Sequence, residues 1–414
     1  MNTDGTSHDL TIHSPSTTFS GRVGGAAGGA IGNLAVDGLT AGAGTTTFRV
    51  AGASPATPTV LTSANQTYGN AVVLGDNTVL SSSAGGTIAF HSTIDGDGAG
   101  PWSLTVDTSG DTLFGDGAGG DFIGKLHPLA SLSTSGGGAT KFNVLGSTAA
   151  SPTVTTAGPQ TYGDNVVLLA DAVLISTVDN APIVFQGTVD AAVAGGAALT
   201  VDATGGRPSG KFGVVQFNAN VGTTALSSLT VLSGGPFTLA GGLTLTAQNG
   251  VQITVAEATP LAGGDDLIVN GAIQSLAGSI ELDAADNLAI NAPAQLTSPA
   301  SVTLRGDFNN NDAPPGCTIL LAGTINSPVT NVFGGAGNDT INVQKTTAGV
   351  TTVDAGAGDD TINVSSTAPA AGGLTSPIAA AVVVAGGAGA DKLNVDDSGD
   401  AAANVSGALT STSL

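Results

Sequence analysis

Self-similarity at a long fixed period constrains this chain more than any other feature, because a repeated unit must bury its apolar face against its neighbours. Phe48-Arg49-Val50 returns as Phe142-Asn143-Val144, 94 positions later. At the same offset of 94, Gln66-Thr67-Tyr68-Gly69 returns as Gln160-Thr161-Tyr162-Gly163 and Val72-Val73-Leu74 as Val166-Val167-Leu168. Thr93-Ile94-Asp95 matches Thr188-Val189-Asp190, and Leu104-Thr105-Val106-Asp107 matches Leu199-Thr200-Val201-Asp202, now 95 apart, so an insertion falls in a loop. Leu10-Thr11-Ile12 takes the place of Leu104-Thr105-Val106. The sequence is therefore expected to start in mid-repeat and to be a segment of a longer array.

Within the unit, runs of four to six residues alternate apolar and polar and are separated by Gly, Asn, Asp, Ser and Pro, as strands and turns are. Examples are Thr87 to Phe90, Ser103 to Val106, Ile183 to Phe185, Leu229 to Leu232, Leu243 to Thr246, Val251 to Val255 and Ser301 to Leu304. Helical periodicity is nearly absent. A propeller would repeat at about 40 to 50 residues with Trp or Gly-His signatures, and a sandwich needs no such repeat. The remaining architecture is an all-β parallel β-helix, or β-solenoid. With coils of roughly 20 to 24 residues, each long repeat is about four coils, and stacking at about 4.8 Å gives a rod of about 90 Å. Aromatic residues make up only 4 % of the chain, so the interior is expected to be small and aliphatic.

Composition limits the partners. With 9 Lys and Arg against 31 Asp and Glu the net charge is −22, too few cations to neutralise a phosphate backbone, so no nucleic-acid partner is expected and anionic membrane surfaces are poor partners. The chain shows no apolar run of about 18 residues, hence no expected membrane span, and no signal-like start. Cys317 is alone, so no intrachain disulfide forms.

From Val332 onward a sharper repeat appears. Gly334-Gly335-Ala336-Gly337-Asn338-Asp339-Thr340-Ile341-Asn342-Val343 is echoed by Ala355-Gly356-Ala357-Gly358-Asp359-Asp360-Thr361-Ile362-Asn363-Val364 and by Gly386-Gly387-Ala388-Gly389-Ala390-Asp391-Lys392-Leu393-Asn394-Val395. Glycines let a turn expose its carbonyl oxygens, and Asp at the sixth position adds a hard anionic oxygen, a set suited to Ca²⁺. These segments resemble the Gly-Gly-x-Gly-x-Asp nonapeptide of the repeats-in-toxin family, whose turns bind calcium between stacked coils. The resemblance implies a metal set of Gly335, Gly337, Asn338, Asp339, Gly356, Gly358, Asp359, Asp360, Gly387, Gly389 and Asp391. In that family consecutive turns on one side lie about 18 residues apart, whereas here the offsets are 21 and 31. Two readings stay open: calcium sites on longer coils, or structural turns in which Asp accepts backbone N–H bonds. Gly263-Gly264-Asp265-Asp266 is a weaker cousin.

The 94-residue unit is similar to the repeats of very large filamentous-haemagglutinin-like adhesins and related bacterial surface proteins. The segments that carry this are Thr155-Thr156-Ala157-Gly158-Pro159-Gln160-Thr161-Tyr162-Gly163, its partner around Gln66, and the Leu-Thr-Val-Asp strands. Leu393-Asn394-Val395-Asp396-Asp397-Ser398-Gly399-Asp400 resembles terminal modules of such proteins. The resemblance implies a right-handed parallel β-helix and an extracellular or cell-surface location. The long repeat and the calcium-like turns together lead us to expect a non-catalytic surface or adhesion segment, with a host, cell-surface or matrix glycan or protein as partner. End-to-end self-association is a further expectation, since repeat proteins need caps. The expected divisions are 1–250 for the long repeat, 251–330 for continuing coils and 331–414 for the Gly/Asp-rich coils. The alternative is a β-helical hydrolase or lyase acting on polysaccharide or ester.

Motifs for that alternative are thin. Asn2-Thr3-Asp4-Gly5 resembles the first motif of β-helical polygalacturonases, but the rest of that set is missing. The histidines His8, His13, His91 and His127 are scattered; a triad, if present, would join His91 or His127 to Asp95 or Asp121. Gly115-Asp116-Gly117-Ala118-Gly119-Gly120 has no helix after it, and Gly205 to Lys211 lacks the Ser or Thr of a phosphate loop because Phe212 follows. Asp95, Asp97, Asp107, Asp111, Asp116 and Asp121 cluster in one repeat, yet Asp95 and Asp107 recur as Asp190 and Asp202, as turn caps would. Tyr68 and Tyr162 read as packing residues, and Trp102 is the sole Trp. Only Leu243 to Thr246 approaches the Thr-x-Thr pattern of an ice-binding lattice.

Overall fold

A computed structural model describes residues 7–25, 29–38, 44–205, 213–256, 264–309 and 316–401. Its described residues form 41 strands and no helix, and every strand pairing is parallel. The fold is a parallel β-solenoid with three faces, visited in a constant order, the last two coils having strands on the second and third faces alone. The first face is a thirteen-stranded sheet from Leu10–His13 to Thr324–Asn326. The second starts with four strands, from Ser16–Phe19 to Ile94–Gly96, and ends with ten, from Val154–Thr156 to Ala381–Ala388. Ile123 joins them by bridging Ile94 below and Val154 above. The third face holds two seven-stranded sheets, Val60–Thr62 to Val215–Phe217 and Phe237–Leu239 to Lys392–Val395.

Strand alternation decides what faces inward. In Leu199–Asp202 the Leu and Val are buried and the Thr and Asp half-buried, and the same pattern runs through Leu34–Asp37 and Ser103–Thr108. Coils take from 20 residues, Val60 to Leu80, up to 32, Leu34 to Gln66, so the expected 20 to 24 is too narrow. The excess sits in corner loops, which lengthen a coil without adding a level. Counting Ile123, the second face has fifteen levels, and the rod is about 67 Å long at about 4.8 Å per level, shorter than the expected 90 Å.

The long repeat is not four coils either. Thr45–Phe48 lies on the second face, whereas its equivalent Ala139–Phe142 lies on the first. Gln66–Tyr68 is on the first face and Gln160–Tyr162 on the third; Thr78–Ser82 is on the third and Ala172–Ser176 on the second. Eleven strand positions, with Ile123 counted as one, separate each pair, so the unit is three and two-thirds coils. Successive repeats are turned by one face.

The interior shows the same turn. Ten of the fifteen aromatic residues form a single file: Phe19, Phe48, Tyr68, Phe90, Phe114, Phe142, Tyr162, Phe185, Phe217 and Phe237. The expected small aliphatic core holds for most of the interior, where Val, Leu, Ile and Ala predominate, and the few aromatics are concentrated in one file over the first nine coils. Rings stack nearly parallel within a face, as Phe90 does on Phe114 at 5.4 Å and 10°, except at Phe217–Phe237, which meet edge-on at 72° where the third face passes from its first sheet to its second. Where the file changes face, at Phe48–Tyr68 and Phe142–Tyr162, the rings meet edge-on at 82°. Each such pair adds about 0.5–1.5 kcal/mol beyond the area it buries.

Both tyrosine hydroxyls are fully buried and so require a partner. Tyr68 donates to Gln66 Oε1 at 2.8 Å, and Gln66 Nε2 donates to the Ser81 carbonyl at 2.8 Å and to Thr62 Oγ1 at 3.2 Å. Tyr162, Gln160, Ile175 and Thr156 repeat the arrangement. Burial pushes both phenol pKa values well above the usual range. Tyr162→Phe is expected to destabilise the fold by about 1–2 kcal/mol, because it leaves Gln160 Oε1 buried without a donor. Urea denaturation checks this, and an unchanged midpoint would show that the network contributes nothing.

Candidate metal-binding turns

The three Gly/Asp-rich copies stack in register despite their unequal spacing. Strands Val329–Ala336, Val350–Ala357 and Ala381–Ala388 pair on the second face so that Gly335, Gly356 and Gly387 are aligned, as are Ala336, Ala357 and Ala388. The longer interval before the third copy is taken up between Val364 and Ala381, on the far side of the coil from the turn. Gly337 N–H donates to the Ala357 carbonyl and Gly358 N–H to the Ala388 carbonyl, each at 2.8 Å, tying turn to turn.

The sixth-position carboxylates form a file between the second and third faces. Asp339 Oδ1 accepts the Cys317 N–H at 2.7 Å, Asp360 Oδ1 the Asp339 N–H at 2.8 Å, and Asp391 Oδ1 the Asp360 N–H at 3.2 Å. Beside it, Asn338 Oδ1 accepts the Asp359 N–H and Asp359 Oδ1 the Ala390 N–H, both at 2.8 Å. Backbone N–H groups are thus capped by sixth-position carboxylates from the next coil and by fifth-position side-chain oxygens from the coil before. That half of the pattern is structural.

The other carboxylate oxygen is different. Asp339 and Asp360 are each 1 % exposed, and the Oδ2 of both is buried without a hydrogen-bond partner. Burial pushes the Asp339 carboxyl up to about 6, with the charges of Asp360 and Asp307 adding to the effect. Burial also raises Asp360, assisted by Asp391 and Asp359. Asp391, on the last described coil, is exposed. An unsatisfied carboxylate oxygen in a dry corner favours either a proton or a cation. The carbonyls of Gly335 and Gly337 point at Gly356 and Gly358, and those of Gly356 and Gly358 at Gly387 and Gly389, so closely that a Cβ on any of these upper glycines would overlap them. Among the described residues no three carboxylate, thiol or imidazole side chains gather around one point. Backbone carbonyls would therefore have to complete a Ca²⁺ shell with Asp339 and Asp360, and the Ala355 carbonyl fits that role, since it and Asp339 Oδ2 border the same space left by Gly334.

The file continues further than the motifs. Asp286 Oδ2 accepts the Asp265 N–H at 2.6 Å, one level pair earlier. Leu267, Leu288, Ile319, Ile341, Ile362 and Leu393 are aligned on the third face, and two residues before each stand Asp265, Asp286, Cys317, Asp339, Asp360 and Asp391. The weaker cousin at Gly264-Asp265-Asp266 belongs to this file, with Gly263 outside the described residues. Cys317 occupies an aspartate's place, and burial drives its thiol pKa far upward. The signal in the sequence is Asp two residues before a buried Leu or Ile.

The remaining candidates separate cleanly. Asp95 accepts the N–H groups of Leu126 and His127 at 2.9 and 3.2 Å and so tethers a loop of the next coil, and its equivalent Asp190 accepts that of Thr224, within the strand Val221–Leu226 of the next coil, at 2.8 Å. Trp102 Nε1 donates to Asp97 at 2.9 Å. Asp4 and Arg207 to Lys211 lie outside the described residues. His91 and Asp121 line the same cleft on the first face, while His127 lies in the loop held by Asp95. No helix among the described residues is long and apolar enough to cross a membrane. No protein-family model matches the chain, and neither a curated protein nor a solved structure matches it significantly.

Proposed function

We propose that this chain is a non-catalytic rod from a large secreted or cell-surface bacterial adhesin, stiffened by Ca²⁺ at its C-terminal turns. Its partners are then host, cell-surface or matrix glycans or proteins. The observation that carries the metal reading is the pair of buried, unpartnered Oδ2 atoms on Asp339 and Asp360 at stacked glycine turns. The extended parallel stack and the net charge of −22 support a soluble spacer that resists edge pairing.

Thermal unfolding by circular dichroism, in EDTA and in millimolar Ca²⁺, tests it on the wild type and on the Asp339/Asp360/Asp391 triple-alanine variant. Calcium is expected to raise the Tm of the wild type and not of the variant; no shift in either leaves only structural turns. The pH dependence has a definite sign. The folded Asp339 pKa lies above its unfolded value of 3.8, so its contribution is fully present below about pH 4 and is lost as pH rises through about 6. Calcium-free protein should lose on the order of 2 kcal/mol between pH 4 and 7 at this site. Saturating Ca²⁺ should offset that loss, and Asp339→Asn should abolish it.

A further inference from the structure

Five buried side-chain oxygens that lack a partner fall at one recurring place in the long repeat: those of Thr17, Thr46 and Asn70 in the first copy, and of Thr112 and Asp164 in the second. Asn70 and Asp164 are equivalent residues, 94 positions apart, each at the corner after its Gln-Thr-Tyr-Gly segment. Asn70 lies between Gln66–Tyr68 on the first face and Ala71–Leu74 on the second, and Asp164 between Gln160–Tyr162 on the third and Asn165–Leu168 on the first. Strand pairing sets a glycine beneath each, Gly44 under Asn70 and Gly138 under Asp164. One coil lower it brings Ser14-Pro15 in the first copy and Ser109-Gly110 in the second. Gly44 leaves the space that Asn70 uses, since a Cβ there would stand 2.8 Å from Asn70 Oδ1.

The two copies complete this corner with different atoms. Asn70 is 1 % exposed, and its Nδ2 donates to the Ser14 carbonyl, two coils below, at 3.2 Å. That is a donor's place, because the carbonyl opposite can only accept. Asp164 is 4 % exposed; its Oδ1 accepts the Gly137 N–H at 2.8 Å, and its Oδ2 is buried with no partner. Asn70 Oδ1 is also alone, but a lone amide oxygen costs far less to bury than a lone carboxylate oxygen. Among the described residues of the strands on either side, the one cation is Lys141, which is held by Asp111 at 2.6 Å. The coil above brings the uncharged corner Gln186-Gly187-Thr188, and beyond it Asp190, which holds the Thr224 N–H. Asp107, aligned through Ser135 with Gly163, adds a second negative charge from below. Burial raises the Asp164 carboxyl, opposed by the Gly137 N–H and assisted by Asp107.

A proton or a metal ion can relieve a lone buried carboxylate. A metal ion needs several converging ligands, and among the described residues no three carboxylate, thiol or imidazole groups converge. The first copy closes the same corner with a single hydrogen and no charge, so a proton is the smallest addition that makes the second copy match it. We propose that Asp164 is held as the neutral acid, its O–H standing where the Asn70 amide N–H stands and donating to the Ser109 carbonyl. The corner is then a joint that is tight in acid and loosens as the proton leaves. Asn165–Leu168, which starts at this corner, is the seventh of thirteen strands on the first face, so the middle of the rod is the part that responds. Because the folded carboxyl lies above its unfolded value of 3.8, its contribution is fully present below about pH 4 and is lost as pH climbs through the raised value. The proposal is independent of the calcium turns and of the adhesin reading.

Thermal unfolding of the full chain in calcium-free buffer, at about pH 4 and about pH 7.5, tests it on the wild type, Asp164→Asn and Asn70→Asp. At the higher pH Asp164→Asn should raise the Tm by roughly 2 °C or more, because the amide supplies the donor at every pH, and in acid that gain should fall to less than about half. Asn70→Asp should do the reverse, lowering the Tm at the higher pH and by less in acid. Each variant is compared with the wild type at the same pH, so the titration of Asp339, common to all three, cancels. A lower Tm for Asp164→Asn at the higher pH, an equal gain at both pH values, or no change at either would overturn the proposal. So would a rise of the wild-type Tm on adding NaCl, KCl or MgCl₂ that Asp164→Asn lacks, since that assigns a bound cation in the proton's place. Should Asn70→Asp fail to fold, Asp164→Asn decides alone.

Discussion

Replacing Phe142 by Ala is expected to destabilise the rod by about 4 kcal/mol, the upper part of the range for a buried aromatic. Phe142 is 1 % exposed and sits between Phe114, stacked at 5.5 Å, and Tyr162, edge-on at 5.7 Å. Its neighbours cannot slide into the vacated space, because the strands of Phe114 and Tyr162 are each fixed by pairing on both sides. The cavity therefore persists and its full cost is felt. Leu145→Ala is the control: this side chain is 47 % exposed, and its loss should fall within about 0.5 kcal/mol. Urea denaturation of both variants measures the difference, and equal midpoints would mean that the aromatic file is not the core of this segment.

Gly358→Ala is expected to be similarly damaging for a different reason. Gly358 has φ of +140°, and a Cβ there would overlap the carbonyl oxygen of Gly337 in the preceding coil. Backbone opposes backbone, so neither side can give way without parting the strands. A loss of about 3 kcal/mol or more follows from strain and broken ladder bonds together. Gly372→Ala separates the two effects, since Gly372 has φ of +87° but nothing within 4 Å of its added Cβ; strain alone should cost about 1 kcal/mol. Hydrogen exchange over residues 350–364 reads the result. Unchanged protection in Gly358→Ala would show that the turns are not held in contact.

Much of the architecture is legible in the sequence because parallel stacking writes itself as recurrence. Gln66-Thr67-Tyr68 and Gln160-Thr161-Tyr162 announce both the repeat and its packing role. The turn of one face per repeat is hidden, since an offset of 94 counts residues and not strands, and loops such as that between Phe48 and Val60 stretch a coil without moving it up a level. The aromatic file is hidden for the same reason: Phe90, Phe114 and Phe142 are aligned in space at unequal spacing in sequence. At the turns, the glycine pattern reveals Asp339, Asp360 and Asp391, while Asp286, preceded by Ala284 and Ala285, keeps the carboxylate without the glycines and escapes the pattern. The cleft was legible only as scattered ingredients. His91 and Asp121 can be paired by guess, but Asp37 joins them only because parallel stacking sets it two levels from His91, across Gly69.

The fractional coil count has a mechanical consequence. A unit of whole coils would align every copy of a surface feature along one side of the rod, so that the molecule would have a front and a back. Here equivalent positions such as Thr67 and Thr161, on the first and third faces, look in different directions. A third such unit would look in the remaining one. A filament extended by this rule is a screw, and a feature carried once per repeat would meet an opposing surface whatever the roll of the filament about its axis.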